Sequence, residues 1–212
     1  MKRILLLTAA AALLVASPAT AKSKAKRGKK AAPAKAAPAK SGASKADVIK
    51  PIKRLIGAVR YGKNAMALKQ FDGPGQARFM LTGHGKKLTD AQTTEFIKLF
   101  HQMFATIAFP KVRKDFQKLE TILYDEPRIR GSKAKVGTTI VILHPVKKQE
   151  IKATFDLSRV GTAWQVVDVQ VKGDKSMLTN IRVEQVGPIL KEGGPDHLLG
   201  LMRKRVASMK KR

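Results

Sequence analysis

Cysteine is absent from the 212 residues, which removes disulfides, thiolate metal sites and a cysteine nucleophile in one step. Acidic side chains are scarce as well: 15 Asp and Glu face 43 Lys and Arg, for a formal charge of +28. Such a charge usually points to nucleic acid. Yet the chain has no helix-turn-helix spacing, zinc-ligand pattern or aromatic ribonucleoprotein motif, so that reading stays a weak alternative and no nucleic acid is expected. The four histidines, His84, His101, His144 and His197, stand far apart, and none has a metal-ligand spacing such as H-E-x-x-H. No G-x-S-x-G elbow, phosphate-binding loop or dinucleotide fingerprint occurs. No catalytic set, metal or cofactor is therefore expected. Past the first residues no run reaches the roughly 18 apolar residues that a membrane span needs.

What is present begins at the N-terminus. Lys2 and Arg3 precede an apolar run from Ile4 to Ala16, and Ala19, Thr20 and Ala21 form a small-residue cleavage site, the layout of a secretory signal cut after Ala21. Left uncut, the same run would serve as an anchor. Residues 22–45 are mainly Lys, Ala, Pro, Ser and Gly, with nine basic residues and no acidic one. Too little apolar surface is available there to offset ordering entropy, so this reads as a disordered basic tether. It is either a solvated spacer or an electrostatic attachment to anionic lipid headgroups or other envelope polyanions. The remainder, 46–212, has the size of one domain with a substantial core, and with 32 basic and 15 acidic residues it is basic in its own right.

Apolar spacing orders the elements. Ile49, Ile52, Leu55, Ile56, Val59 and Ala67 predict a helix from Ala46 to about Gln70, with Pro51 tolerated in its first turn. Phe71 to Gly75 reads as a turn and Gln76 to Leu81 as a short helix ended by Gly83 and Gly85. Thr89 with Gln92 has capping-box form and opens a helix whose apolar face is Phe96, Phe100, Met103, Phe104 and Ile107, ending at Pro110. Period-two patterns then give four strands: Leu119 to Arg130, Lys135 to His144, Glu150 to Ser158 and Gln165 to Lys172. Short polar turns between them predict an antiparallel meander. Met177 to Gly187 and Pro195 to Met209 close the chain as helices, separated by Pro188 and the Gly193-Gly194 pair. Helices, then sheet, then helices make the class α+β.

The last stretch carries a more specific pattern. Asp168 in the final strand, Gly173 and Ser176 at the turn, Asn180 and Arg182 one turn into the helix, then Gly193, Leu198 and Leu199 stand in the order found in the MlaC or toluene-tolerance family of periplasmic phospholipid carriers, which the chain resembles. Phe71, Asp72, Ala77, Arg78, Leu81, Leu88, Thr89 and Gln92 are similar to that family's order in the first half. The sequence departs from it at three places: His84 and Gly85 stand where relatives often carry Trp, Asp174 and Lys175 replace one hydrophobic residue, and Ile181 replaces the usual Tyr. The resemblance implies a curved antiparallel sheet of about four strands wrapped by N- and C-terminal helices, a cone holding a glycerophospholipid's acyl chains. It also implies a periplasmic location and passage of lipid between an inner-membrane MCE-type lipid transport complex with its ATPase and an outer-membrane lipoprotein complex.

On that basis the candidate lining residues are Phe96, Phe100, Met103 and Phe104 on the helix, Ile140, Ile142, Phe155, Val167 and Val169 on the strands, and Met177 and Ile181 after them. Each is equally readable as ordinary core, because helical and alternating apolar stripes are usually packing. Arg182 with Asn180 is the headgroup candidate, against solvation or pairing with an acid. Asp174 reads as a helix cap and Trp164 as a packing anchor. Cone folds also host isomerases, so Asp156 or Asp168 with Tyr124 forms the enzyme alternative, on analogy alone.

Overall fold

The computed structural model describes residues 44–83, 88–143 and 148–210. The expected signal, almost all of the expected tether, His84, Gly85 and His144 lie outside these residues.

Helix α1 (Lys45–Arg60) starts at a capping box in which Ser44 and Asp47 satisfy each other's backbone donors. This start places Pro51 inside the helix rather than in its first turn. The helix then stops at Gly62, which adopts φ 73°, so the single helix expected as far as Gln70 is two: α1 and the short α2 (Asn64–Leu68). Arg113 ties the junction down, donating to the Val59 carbonyl (3.0 Å) and to Asn64 Oδ1 (2.8 Å). Helix α3 (Gly73–Leu81) begins three residues earlier than its apolar pattern, because Asp72 caps it by accepting from the Gly75 amide at 2.8 Å.

Helix α4 (Asp90–Met103) opens at the expected Thr89 and Gln92 capping box. It does not end at Pro110. A π turn at Phe104–Ala108 follows, and α5 (Phe109–Phe116) continues through the proline. Proline clashes with the carbonyl four residues back and has no N–H to donate. Here that carbonyl belongs to Thr106, inside the widened turn, which removes the conflict. The device recurs. Helix α6 (Met177–Ile181) passes through a π turn at Arg182–Val186 into α7 (Gly187–Lys210), so Pro188, whose fourth predecessor is Glu184, does not separate two helices as expected. The break falls at Gly194 alone, at φ 71° and ψ −168°.

The sheet has five strands rather than four, since the expected run to Arg130 divides at Pro127 into β1 (Leu119–Tyr124) and β2 (Arg128–Arg130). With β3 (Lys133–Leu143), β4 (Lys148–Val160) and β5 (Ala163–Val171) it forms an antiparallel meander, β1-β3-β4-β5, with β2 also paired to β3. The 70–72 segment covers the β5 edge: the Asp72 amide donates to the Val166 carbonyl and the Val166 amide to that of Gln70. One sheet face, including Val136, Ile140, Ile151, Phe155 and Leu157, is buried under the helices, whereas Lys133, Lys135 and Lys152 on the other are exposed.

Candidate functional site

Between the buried sheet face and the helices lies an apolar cavity of about 130 Å³. Leu55, Ile56 and Val59 of α1 face it from one side, with Phe71 beside them. Phe104 and Ala108 of the π turn, and Phe109, Val112 and Phe116 of α5, form the roof. Ile140 of β3, Ile151, Ala153 and Phe155 of β4, Val169 and Val171 of β5, and Met177 of α6 complete the wall. Every one of these side chains is apolar. The aromatics brace one another: Phe71 stacks on Phe109 at 6.4 Å, and Phe104 meets Phe71 and Phe109 edge-on at 5.9 and 6.1 Å.

Of the candidate lining residues, the structure brings Phe104, Ile140, Phe155, Val169 and Met177 to the cavity. Phe96, Phe100, Met103, Ile142 and Ile181 are buried away from it. The first three lie on α4, which packs against α7, where Leu198, Leu199 and Met202 are also fully buried. Val167 is excluded by a β-bulge. Asp156 pairs with Asp168 and Leu157 with Val166, so Val167 is the extra residue, and the inward parity passes from Trp164 and Val166 to Val169 and Val171. Its carbonyl accepts instead from Gln76 Nε2 at 3.0 Å. Sequence reasoning missed the α1 contribution, whose apolar residues show only helical spacing, and the α5 contribution, because the helix is expected to end at Pro110.

The headgroup candidates lie elsewhere. Arg182 donates to the Thr82 carbonyl at 2.7 Å and sits 5.5 Å above the Phe79 ring, and neither it nor Asn180 borders the cavity. The residues of the enzyme alternative are engaged too. Asp168 Oδ1 accepts from the amides of Leu178 (3.0 Å) and Val169 (2.8 Å), and the Ser176 hydroxyl also bonds its carboxylate. Burial raises its pKa, against the opposing pull of those hydrogen bonds. Asp168 thus holds the first turn of α6 to β5, while Ser176 caps that helix through the Thr179 amide. Asp174 does not cap it. Asp156 pairs with Lys135 at 2.7 Å, and Tyr124, pushed up to about 12 by burial, lies under the Lys53 ammonium. A buried polar bridge joins α3, α4 and β5, with Gln76 Oε1 3.2 Å from His101 Nε2. Burial lowers the His101 pKa. Among the described residues no cluster of His, Asp and Glu is arranged to hold a metal.

The MlaC family's sequence model matches residues 58–204, which include every cavity-lining residue except Leu55 and Ile56. The chain belongs to the MlaC family. A similar solved structure is the phospholipid-binding protein of Ralstonia solanacearum in complex with a phospholipid: 14% identity, 78% of this chain and 98% of that one covered, TM-score 0.59. That likeness fixes the MlaC-type fold. A protein of unknown function from Mycobacterium tuberculosis aligns at 9% identity over 77% of this chain and 88% of its own, with a TM-score of 0.29. No curated protein matches. Within this MlaC-family fold, Asp168, Ser176 and Gly193 do structural work. A Cβ at Gly193 would come within 2.6 Å of the His197 side chain, and Leu198 and Leu199 are fully buried beyond it.

Proposed function

We propose that this MlaC-family protein is a periplasmic carrier that moves a glycerophospholipid between inner-membrane MCE-type and outer-membrane lipoprotein complexes of an ABC-type lipid transport system. The observation that carries the reading is a cavity lined only by apolar side chains between sheet and helices, in a chain of this family. Two acyl chains in water would cost about 0.8 kcal/mol per methylene, on the order of 20 kcal/mol in all, so crossing an aqueous space demands such an enclosure. The lipid is already sheltered in the bilayer it leaves. Direction therefore comes from the partners at each end and not from tight binding.

Phe104, Ile140, Phe155, Val169 and Met177 hold the chains, with the α1 and α5 residues opposite them. An engineered cavity of about 150 Å³ accommodates benzene, so a cavity of about 130 Å³ must widen to take a lipid. The headgroup stays outside, because nothing polar lines the interior. The secretory-signal layout of residues 1–21 supports a periplasmic location.

Native mass spectrometry of the secreted protein, purified without detergent and followed by lipid extraction, tests this. A stoichiometric glycerophospholipid is expected. Protein that is reproducibly empty and takes up no lipid from vesicles would end the carrier reading, and a co-purified hopanoid would reassign the cargo.

A further inference from the structure

Helix α1 separates two different surfaces. Leu55, Ile56 and Val59 face the cavity, while Arg54, Gly57 and Tyr61 face outward and, with the buried Ala58 at their base, form a groove with Lys63, Met66, Lys69 and Gln70 around α2. The groove floor is open, since a Cβ added at Gly57 would meet nothing within 4 Å. Two large apolar side chains stand out of it: Tyr61 is 70% exposed and Met66 55%. Around them are the cations Arg54, Lys63 and Lys69, with the Arg60 guanidinium 5.7 Å above the Tyr61 ring. No acidic side chain lines the groove, and among the described residues none of Arg54, Lys63 and Lys69 is ion-paired. The adjoining depression shares Arg54, Lys69 and Gln70, and adds Lys50 and one acid, Asp47, whose carboxylate already closes the cap at Ser44.

Cations left unpaired around a protruding tyrosine and methionine have the chemistry of an interfacial anchor. The ammonium and guanidinium groups meet anionic headgroups, the tyrosine ring sits at headgroup level with its hydroxyl wet, and the methionine enters the acyl boundary. We infer that the α1–α2 groove is a docking surface for an anionic lipid bilayer. Docked there, the protein holds its cavity one helix, about 10 Å, from the membrane. The basic 22–45 segment enters the same helix at its N-terminus and adds long-range attraction. The inference takes its purpose from the carrier reading but is tested by docking rather than by lipid content.

The test is flotation of the full secreted chain with vesicles of phosphatidylethanolamine containing phosphatidylglycerol, compared with phosphatidylcholine vesicles, at rising salt. Two groove variants are used: Arg54→Gln with Lys63→Gln and Lys69→Gln, and Tyr61→Ser with Met66→Ser. A charge-matched control changes three exposed lysines away from the groove, Lys133→Gln, Lys191→Gln and Lys204→Gln. Binding to the anionic vesicles is expected to weaken about tenfold or more in the cation variant and clearly in the apolar one, with the control close to the parent. Equal loss in groove and control variants would assign attachment to net charge and overturn the inference. So would unchanged binding in both groove variants, which would hand the groove to another occupant such as an acidic protein. Native mass spectrometry of the same samples separates the outcomes: docking variants that still carry lipid leave the carrier reading standing, and a docking parent without lipid removes that reading alone.

Discussion

The two halves of the interior are built from the same kinds of residue and end up differently. Where α4 packs on α7, Phe96, Phe100, Met103, Leu198, Leu199 and Met202 are buried in a filled core. Where α5 and the π turn face the sheet, Phe104, Phe109, Phe116 and Phe155 are as thoroughly buried, yet they surround a void. Burial alone does not distinguish them. What differs is the opposing partner: two helices interlock at close range, whereas a twisted sheet under crossing helices leaves space that side chains of ordinary size do not fill.

The sharpest way to break this contrast is to fill the void. Ile151→Trp is expected to remove bound lipid while leaving a folded protein, read by native mass spectrometry and circular dichroism. The same enlargement at Leu198 would overpack the filled half and unfold it. Next come matched truncations. Phe96→Ala should cost about 3–5 kcal/mol, as in a filled core, and Phe109→Ala clearly less, because its neighbours already border a cavity. Urea denaturation of the pair checks this, and equal losses would contradict the distinction.

Asp168→Ala removes the acceptor for two buried amides and should cost about 2 kcal/mol. Its charge has its own signature. The native pKa is raised by burial, so the fold's preference for the neutral acid is fully present below the ordinary value of 3.8 and is lost as pH rises through the raised native value. Asp168→Asn, which still offers an oxygen to Leu178, should lose that slope, and denaturation midpoints across this range read it directly. Gly194→Ala should cost about 1–3 kcal/mol, because its backbone lies in a region that side chains resist, and lipid content should be unaffected. The smallest effect belongs to Arg203→Gln: the bidentate pair with Glu95 is exposed, and no measurable change in melting is expected.

The class, the meander and the Thr89 cap were legible because periodicity and capping chemistry are local. Gly194 was legible for the same reason, but the two π turns were not, although their mark is in the sequence. Phe96, Phe100 and Phe104 recur every fourth residue and Phe109 comes at the fifth; Ile181, Val186 and Leu190 repeat that step. A five-residue interval would rotate an α-helical side chain off the face, and the widened turn keeps it on, as the Phe109 amide bonding to the Phe104 carbonyl shows. For the cavity, Ile140, Phe155 and Val169 were readable from strand alternation, whereas Val167 was not, because it is the extra residue of a bulge that reverses inside and outside, and Ile142 lies on the buried face but away from the void. The α1 wall was unreadable in principle, since Leu55, Ile56 and Val59 have the spacing of any amphipathic helix, and only its neighbours decide whether the space in front of them is filled.

The void also has a consequence in volume. Hydrostatic pressure favours whichever state occupies less space, and unfolding eliminates internal voids, so the empty protein carries a liability of its own. A cavity of about 130 Å³ corresponds to roughly 80 mL/mol, comparable to the whole unfolding volume of many ordinary domains. The filled half contributes little to it. An occupant of the cavity removes most of that volume difference, so empty and loaded forms should part along the pressure axis even where their thermal melting coincides.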